Sequence, residues 1–260
     1  MIIAQLTDLH IFVDQSMDRK AALRVSNLKT AIQQLNTMTP RPDIVLFTGD
    51  LADTGNPEEY TLVKKCLDVL RIPFVAIPGN HDNSDNLKTV FAGSDGSFDY
   101  VIDDFPLRLI GINSAVAGEI HGRVSAAQRH WLDDQLSAQP TRPTLIFMHH
   151  PPMNTGIHGL DKYPFSEARA LEDVIGKHAQ VAAILCGHVH RTMIKKFGGS
   201  VLITCPSTAY QFDCNLAEGI PLATIHEPCG YFLHTWSPDN GLLTHTRFID
   251  DFGAATPLAS

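Results

Sequence analysis

The sequence lacks long hydrophobic runs, paired cysteines and an excess of positive charge. No part of its 260 residues approaches the roughly 18 consecutive apolar residues that a membrane-spanning helix needs. The five cysteines are an odd number without a CxxC pair, which argues against a disulfide framework and a zinc finger. A net charge of −8 argues against nucleic acid polymers as partners, because phosphate backbones are bound by surfaces rich in lysine and arginine.

The composition is that of a folded protein with an unusual number of histidines. Hydrophobic residues make up 44% of the chain and charged residues 18%, which is enough for a sizeable core. Histidine occurs 13 times, and its side chain ligates metals and moves protons near neutral pH. Residues 1–10 lack a basic leader followed by an apolar stretch, so we expect a cytoplasmic protein with no membrane partner.

Apolar runs alternate with helical patterns along most of the chain. Capping residues predict helices that begin at Asn56 and at Ser125. After Cys186 the pattern changes to short strands separated by turns, which is typical of antiparallel β-structure. We therefore expect one α/β domain over residues 1–250 and a C-terminal tail over residues 251–260. Before Cys186 the predicted strands are residues 2–6, 43–47, 72–77, 108–112, 144–148 and 181–185.

Five polar clusters stand where predicted strands end. Loops of an α/β sheet converge at such ends, so ligands that are distant in the chain can meet there. Residues two apart on an extended segment point to the same side, which would let each D-x-H or H-x-H pair reach one metal cluster. The clusters are Asp8-Leu9-His10, Gly49-Asp50, Gly79-Asn80-His81-Asp82, His149-His150 and Gly187-His188-Val189-His190.

Each cluster alone has an ordinary structural explanation. Asp8 or Asp50 could cap a helix, and His149 could be a packed histidine at the edge of the core. Together, five clusters rich in metal-binding residue types favour a shared metal site over separate structural roles. The glycines before Asp50, Asn80 and His188 would let the backbone turn sharply and approach its neighbours closely.

The set resembles the calcineurin-like metallophosphoesterases, whose D-x-H, G-D, G-N-H-D, H and G-H-x-H blocks occur in this order. The resemblance runs from Ile2 to about Thr208. It implies an α/β fold with four layers, an αββα sandwich of two mixed sheets flanked by helices. Within the superfamily, the chain is most similar to class III cyclic nucleotide phosphodiesterases and bacterial glycerophosphodiesterases. The closer similarity lies in Pro78-Gly79-Asn80-His81-Asp82, Met148-His149-His150-Pro151-Pro152, Cys186-Gly187-His188-Val189-His190 and Pro206-Ser207-Thr208 with Gln211-Phe212.

The resemblance also implies a site with two metal ions. Asp50 would be shared by both ions, and His81 would bind no metal and would face the phosphate. One ion would be held by Asp8, His10, Asp50 and His190, and the other by Asp50, Asn80, His149 and His188.

The charges of this ligand set fit a phosphodiester. Two divalent ions carry about four positive charges, of which Asp8 and Asp50 neutralise about half, so the cluster attracts a singly charged substrate. The expected mechanism is attack by a metal-bridging hydroxide, with Asp50 and His81 as the catalytic residues. Nitrogen and oxygen ligands suit manganese, iron, cobalt or zinc. Because Asn80 is a neutral amide, we expect the second site to bind its metal more weakly.

Four residues are predicted to contact substrate: Asn80, His81, His158 and Tyr210. His158 lies in the loop 151–165, which is either a lid over the site or a surface excursion. Tyr210 either stacks on a base or belongs to the core.

The sequence therefore predicts a metal-dependent phosphodiesterase that hydrolyses small phosphodiesters, either 3',5'-cyclic nucleotides or glycerophosphodiesters. A phosphomonoesterase or phosphonate monoesterase would use the same two-metal site but would need cationic groups for a doubly charged phosphate. A catalytically inactive scaffold of the same fold is the alternative of another class, and it would be expected to have lost ligands. Assembly into a homo-oligomer is left open.

Overall fold

The computed structural model describes residues 1–13, 19–91 and 97–250, together with Phe252, Gly253 and Thr256. Most of the expected tail at 251–260 therefore lies outside the described residues. No helix in the described part of the chain is long and apolar enough to cross a membrane.

Strands and helices alternate through the first two thirds of the chain. The elements up to the seventh strand are β1 (Ile2–Leu6), α1 (Arg19–Thr37), β2 (Ile44–Thr48), α2 (Pro57–Leu67), β3 (Phe74–Ile77), α3 (Ser84–Lys88), β4 (Tyr100–Ile102), β5 (Arg108–Gly111), α4 (Ala126–Ser137), β6 (Thr144–Phe147), α5 (Ala168–Ile175) and β7 (Val181–Cys186). The remaining elements are β8 (Met193–Phe197), β9 (Ser200–Thr204), β10 (Gln211–Phe212), β11 (Thr224–Ile225), β12 (Gly230–Ser237) and β13 (Gly241–Phe248).

The strands form two large mixed sheets and a short hairpin. The first sheet has the order β13-β12-β1-β2-β3, with β1, β2 and β3 parallel and β12 and β13 antiparallel. The second sheet has the order β4-β5-β6-β7-β9-β8, with a parallel centre from β5 to β9 and an antiparallel strand at each edge. Within the described part of the chain, strands β10 and β11 pair only with each other. The carboxyl ends of the parallel strands carry the predicted site.

The two sheets pack face to face, with helices outside them. One core cluster joins the inner faces of both sheets, through residues such as Ile3 and Phe232, and continues to Leu132 of α4 and Leu171 of α5. A second cluster packs the other face of the first sheet, including Phe47, against α1 and α2. The predicted four-layer arrangement of two mixed sheets flanked by helices is confirmed.

Strand β12 is internal to the first sheet. Its alternate side chains Phe232 and Trp236 face the second sheet, whereas Tyr231 faces the outer cluster beside α1. His234 lies on the inner face and is fully buried. The two differing faces of this strand therefore serve two internal core clusters.

Candidate metal centre

The predicted metal ligands lie on loops that directly follow five parallel or central strands. Asp8 and His10 follow β1, and Asp50 follows β2. The same placement holds for Asn80 after β3, His149 after β6, and His188 and His190 after β7. Backbone hydrogen bonds continue the pairing of β1 with β2 beyond the strands, since the amides of Asp8 and His10 donate to the carbonyls of Gly49 and Asp50 at 3.0 and 2.9 Å.

The backbone at these positions is not extended, contrary to the expectation for the D-x-H and H-x-H pairs. Asp8, His10, Asp50, His188 and His190 all have positive φ angles, between 44° and 70°. This left-handed region costs a non-glycine residue about 1 to 3 kcal/mol. The loops turn sharply after the strands, which brings the side chains of the D-x-H and H-x-H pairs together. The surrounding packing holds the five strained residues in place.

Glycines permit the close approach that the sequence predicted. A Cβ on Gly79 would overlap the Asp50 carboxylate, and a Cβ on Gly187 would overlap the Thr7 hydroxyl beside Asp8. At both positions the missing side chain lets the next ligand loop lie against a neighbouring carboxylate.

One group of donor atoms gathers around Asp8, His10 and His190. The Nε2 atoms of His10 and His190 are 3.1 Å apart, and His190 Nε2 lies 3.3 Å from Asp8 Oδ1. Asp50 borders this group, with its Oδ2 at 3.7 Å from His10 Nε2. All four side chains are at most 2% exposed.

A second group lies on the other side of Asp50. His149 Nε2 is 3.3 Å from the same Asp50 Oδ2, and donor atoms of His149 and His188 lie within 4.8 Å of each other. Asn80 lines the same cavity as Asp50 and His188. The Asp50 Oδ2 atom therefore contacts a histidine of each group, and a carboxylate oxygen of Asp8 lies within 4.8 Å of the donor atoms of Asp50 and His149.

The donor atoms fit metal ions. His10 donates from Nδ1 to Asp53, and His190 donates from Nδ1 to the Tyr210 carbonyl. In the neutral rings the two facing Nε2 atoms therefore both carry lone pairs, which repel each other unless a cation lies between or beside them. On the other side, Asn80 Oδ1 is buried with no hydrogen-bond partner among the described residues, and His149 Nε2 faces the Asp50 carboxylate 3.3 Å away. An ion explains an orphaned acceptor such as Asn80 Oδ1.

The carboxylates stay charged despite their burial. Burial raises the pKa of Asp8, but the neighbouring His190 outweighs it and the net pKa lies below the ordinary value. Burial is likewise outweighed at Asp50, where His149 lowers the pKa well below its usual range. Asp50 in turn outweighs the burial of His149 and raises the pKa of its imidazole to about 9. An ion at this position has to displace that proton, which couples metal binding to pH.

Backbone and side-chain acceptors orient three of the four metal-facing histidines. His10 Nδ1 donates to the Asp53 carboxylate at 3.0 Å, and His149 Nδ1 donates to the Thr48 carbonyl at 2.7 Å. His190 Nδ1 donates to the backbone carbonyl of Tyr210 at 2.8 Å. Each bond fixes the tautomer that leaves Nε2 free as a ligand.

Sequence reasoning missed the pair Asp53 and Arg24. Arg24 donates to Asp53 Oδ1 at 3.0 Å and to the His10 carbonyl at 2.8 Å. It therefore holds both the carboxylate that orients the His10 ring and the backbone of His10. Its guanidinium also lies 5.1 Å from the centre of the Tyr210 ring. The position of Asp53, three residues after Asp50, was the one sequence signal that could have placed it near the site. Arg24 lies in the middle of α1, and its sequence position carried no such signal.

Asp82 joins two ligand loops. Its carboxylate accepts hydrogen bonds from the amides of Leu51, Ala52 and Gly79 at 3.0 to 3.2 Å, and from the Tyr60 hydroxyl at 2.9 Å. It therefore ties the loop of Asp50 to the loop of Asn80 and both to α2. Burial raises the pKa of Asp82 to about 6.

A cavity of about 200 Å³ opens beside the two groups. His81 and Tyr210, two of the residues predicted to contact substrate, line this cavity, and His81 Nδ1 donates to the Asp53 carbonyl at 2.7 Å. His158 is exposed and is not among the described residues that line this cavity. It lies on the outer side of its loop, whereas Leu160 and Tyr163 of the same loop reach the cavity.

The loop 151–165 packs on the site and is more than a surface excursion. Ile157 and Leu160 form a small apolar cluster with Val189, which lies between two predicted ligands. The Asp161 carboxylate accepts bonds from the amides of Thr155 and Gly156 at 2.7 and 2.9 Å, which closes the loop on itself.

Tyr210 contacts the ligands more than the core. Its ring centre lies 4.5 Å from that of His190 and 5.2 Å from that of His10. The ring is partly exposed to the cavity and covers one side of the first group of donor atoms.

Comparison with known proteins supports the family resemblance described in the sequence analysis. The profile of the calcineurin-like phosphoesterase family matches residues 1–192. The chain is 37% identical to the probable glycerophosphodiester phosphodiesterase GpdQ of Arcobacter nitrofigilis, over 99% of this chain and 96% of that protein. It is 31% identical to the 3',5'-cyclic adenosine monophosphate phosphodiesterase CpdA of Escherichia coli K12, over 81% of this chain and 77% of that protein.

The fold also matches solved structures. A dimetal phosphatase from Danio rerio superposes with a TM-score of 0.66 at 16% identity, over 96% of this chain and 99% of that one. At this identity the match concerns the fold alone. The family resemblance inferred from the five motif blocks is confirmed by the profile and by the curated relatives.

Proposed function

The chain belongs to the calcineurin-like phosphoesterase family, and from that membership we propose that it is a metal-dependent phosphodiesterase acting on small phosphodiesters. The observation that carries the proposal is the position of Asp50 between two groups of metal-binding atoms, with Oδ2 at 3.7 Å from His10 Nε2 and 3.3 Å from His149 Nε2. The names of the relatives, which include a glycerophosphodiesterase and a cyclic AMP phosphodiesterase, support the substrate class.

We propose the following ligands. Asp50 would bridge two divalent ions. Asp8, His10 and His190 would complete the first site, and Asn80, His149 and His188 the second. When bound, the ions supply Lewis acidity and a nucleophile at neutral pH. The buried carboxylates keep the negative charge that retains the ions, and the neutral histidines leave positive charge for the phosphate.

His81 would act on the substrate. Its Nδ1 donates to the Asp53 carbonyl, and because a carbonyl only accepts, Nδ1 carries a hydrogen and Nε2 is the atom left for the cavity. From there the protonated ring can donate to a phosphate oxygen and deliver a proton to the departing alkoxide. Asn80 would offer its amide nitrogen to the same phosphate, since its Oδ1 is proposed to face the metal.

The cavity favours a diester over a monoester. Asp50 is the charged residue among its described lining, which includes neither lysine nor arginine. Apolar and aromatic side chains make up much of the remaining wall, for example Leu160, Tyr163 and Phe212. A doubly charged phosphate needs additional cations, whereas the second ester group of a diester fits an uncharged wall.

Matched substrates test this function. Cyclic AMP, glycerophosphocholine and a chromogenic diester are assayed with and without Mn²⁺, beside the monoester of the same chromogenic alcohol. We expect Mn²⁺-dependent turnover of at least one diester and at least tenfold slower turnover of the monoester. Turnover of no diester defeats the proposal, and faster turnover of the monoester transfers it to the phosphomonoesterase class.

Finer assignments rest on the same residues. We propose manganese, iron, cobalt or zinc as the ions, because the ligand set mixes imidazole nitrogen with carboxylate and amide oxygen. All five cysteines are free thiols, which suits a reducing cytoplasm. Residues 1–250 are proposed to act as one catalytic domain, since the ligands come from both sheets. Self-association stays a prediction.

A further inference from the structure

His188 differs from the other three metal-facing histidines. His10, His149 and His190 each donate from Nδ1 to an oxygen acceptor, which orients the ring. Among the described residues, the His188 ring has no hydrogen-bond partner of this kind; its backbone amide alone is held, by the Asp8 carboxylate at 3.0 Å. A ligating histidine almost always has a partner on its second nitrogen.

The neighbour of His188 is a buried histidine to which the family resemblance gives no role. His150 is 2% exposed, and its ring centre lies 4.6 Å from that of His188. Its Nδ1 lies 2.9 Å from the Ser114 hydroxyl, which holds the ring in place. Among the described residues, buried His150 Nε2 has no hydrogen-bond partner of good geometry, although the backbone of Ile120 lies close to the ring. Such an atom calls for an explanation.

A small cavity lies between these two rings and the loop 151–165. Its volume is about 20 Å³, and His150 and His188 both line it, together with Thr155 and Asp161. A space of this size holds one water molecule, provided that two to four polar groups surround it. Thr155 and Asp161 add polar atoms to the two imidazoles, and Pro164 and Phe165 of the same loop also line the cavity.

His188 separates this cavity from the substrate cavity. It lines both, whereas His150 lines only the small one among the described residues. His150 lies beside both His149 and His188, with ring centres 4.7 and 4.6 Å away, and donor atoms of the three histidines lie within 4.8 Å of one another. A metal-bound structure therefore distinguishes a supporting role of His150 from a ligand role.

We propose that His150 is a positioning residue for the second metal site, and that one buried water bridges its Nε2 to the second ring nitrogen of His188. The water would do for His188 what Asp53, Thr48 and Tyr210 do for the other three histidines. The loop 151–165 would take part in holding this water, because several of its residues line the small cavity. The inference rests on the proposed two-metal function.

Metal titration of the stripped protein tests it. Mn²⁺ binding is followed by calorimetry in the unchanged chain, in His150→Phe and in His150→Gln. We expect His150→Phe to bind the first ion normally and the second at least tenfold more weakly, the range typical for removal of a ligand's supporting partner. His150→Gln keeps a polar group near the water and should stay within about threefold.

His178→Phe is the matched control. His178 is also a buried histidine, at 8% exposure, but it is paired with Asp133 at the opposite end of the strands. Both of its metal affinities should equal those of the unchanged chain. If the unchanged chain binds fewer than two ions, the proposed function fails. If it binds two and folded His150→Phe binds the second equally well, the inference alone fails.

A crystal structure of the Mn²⁺-loaded protein decides the matter directly, even if His150→Phe does not fold. A water within hydrogen-bond distance of both His150 Nε2 and a nitrogen of His188 is expected. A direct bond from His150 to a metal ion, or a small cavity without a bridging water, overturns the inference.

Discussion

The two halves of the candidate metal centre are built from different kinds of support. The half around Asp8, His10 and His190 has its own carboxylate, and the Asp53–Arg24 ion pair stands behind it. Among the described residues, the half around Asn80, His149 and His188 shares the Asp50 carboxylate, lies at the edge of the Asp8 carboxylate, and otherwise has an amide and a backbone carbonyl behind His149. A cation is held by the charge around it as well as by the number of its ligands. The first half should therefore hold its ion more tightly.

The largest effect is expected where the two halves meet. Asp50→Asn removes the carboxylate whose Oδ2 contacts a histidine of each group, so both ions should bind weakly and Mn²⁺-dependent diesterase activity should fall by about a thousandfold or more. Circular dichroism should show an intact fold.

Asp133→Asn is the matched control for this change. Asp133 pairs with His178 away from the site, so its replacement should leave activity within twofold. An Asp50→Asn variant that keeps full activity and both ions would contradict the shared-ligand arrangement, and with it the distinction between the halves.

Replacement of Asp53 should affect the first half alone. In Asp53→Asn the amide oxygen can still accept from His10, but the negative charge and the ion pair with Arg24 are lost. We expect the affinity for the tighter Mn²⁺ ion to fall about 10- to 100-fold while the weaker one changes little. Asp85→Asn, at an exposed carboxylate paired with Lys88, should change neither. Equal losses at both ions would show that the two halves are not independent.

The family motifs predicted the seven proposed ligands because each block of residues directly follows a strand, and the ends of these strands from the two sheets lie close together. The groups that support the ligands could largely not be predicted from the sequence. Arg24 reaches the site from a helix face, and the Tyr210 carbonyl is a backbone group whose position follows from the fold rather than from side-chain type. The left-handed backbone of Asp8 and His188 was also missed, since pattern reasoning treats residues beside a strand as extended.

The fold, too, was predicted only in part. Periodicity predicted most long strands and the helices that begin at Asn56 and Ser125, since those elements bury regular apolar faces. Short β4, β10 and β11 were not predicted, because two or three residues carry no measurable period. His158 was assigned to the substrate from its residue type, but the turn of its loop leaves it in solvent.

Adding a carboxylate to the second half should reduce the difference between the halves. In Asn80→Asp the orphaned Oδ1 becomes part of a carboxylate, which brings a negative charge to the weaker ion, and the new oxygen stands where the amide nitrogen was. We expect the affinity for the second Mn²⁺ ion to rise about tenfold, so that calorimetry gives two steps of more similar affinity. The added charge also lowers the net positive charge offered to the phosphate, so the KM for a diester should increase. A second affinity that does not rise would mean that charge does not account for the difference between the two sites.

The smallest effect concerns His234, a buried histidine outside the metal centre. Its contribution to the pH dependence of the free energy of unfolding belongs to neither half of the centre. Burial, helped by His245, lowers the pKa of His234 to about 3, while the unfolded chain titrates it near its ordinary value of about 6.5. His234 lies 2.9 Å from the Thr244 hydroxyl and 3.2 Å from Gln5 Oε1, and Gln5 reaches the Cys186 carbonyl at the end of β7.

Between pH 6.5 and 3 the unfolded state binds more protons, so the free energy of unfolding must fall as the pH falls. From pH 7 to pH 6 this one group should remove about 0.7 kcal/mol. His234→Gln should lose that share of the slope in denaturant titrations of the Mn²⁺-loaded protein, while both metal affinities stay unchanged. If the slope is the same in both proteins, His234 is not held neutral in the folded state, and the pH dependence has to be sought among the ligands themselves.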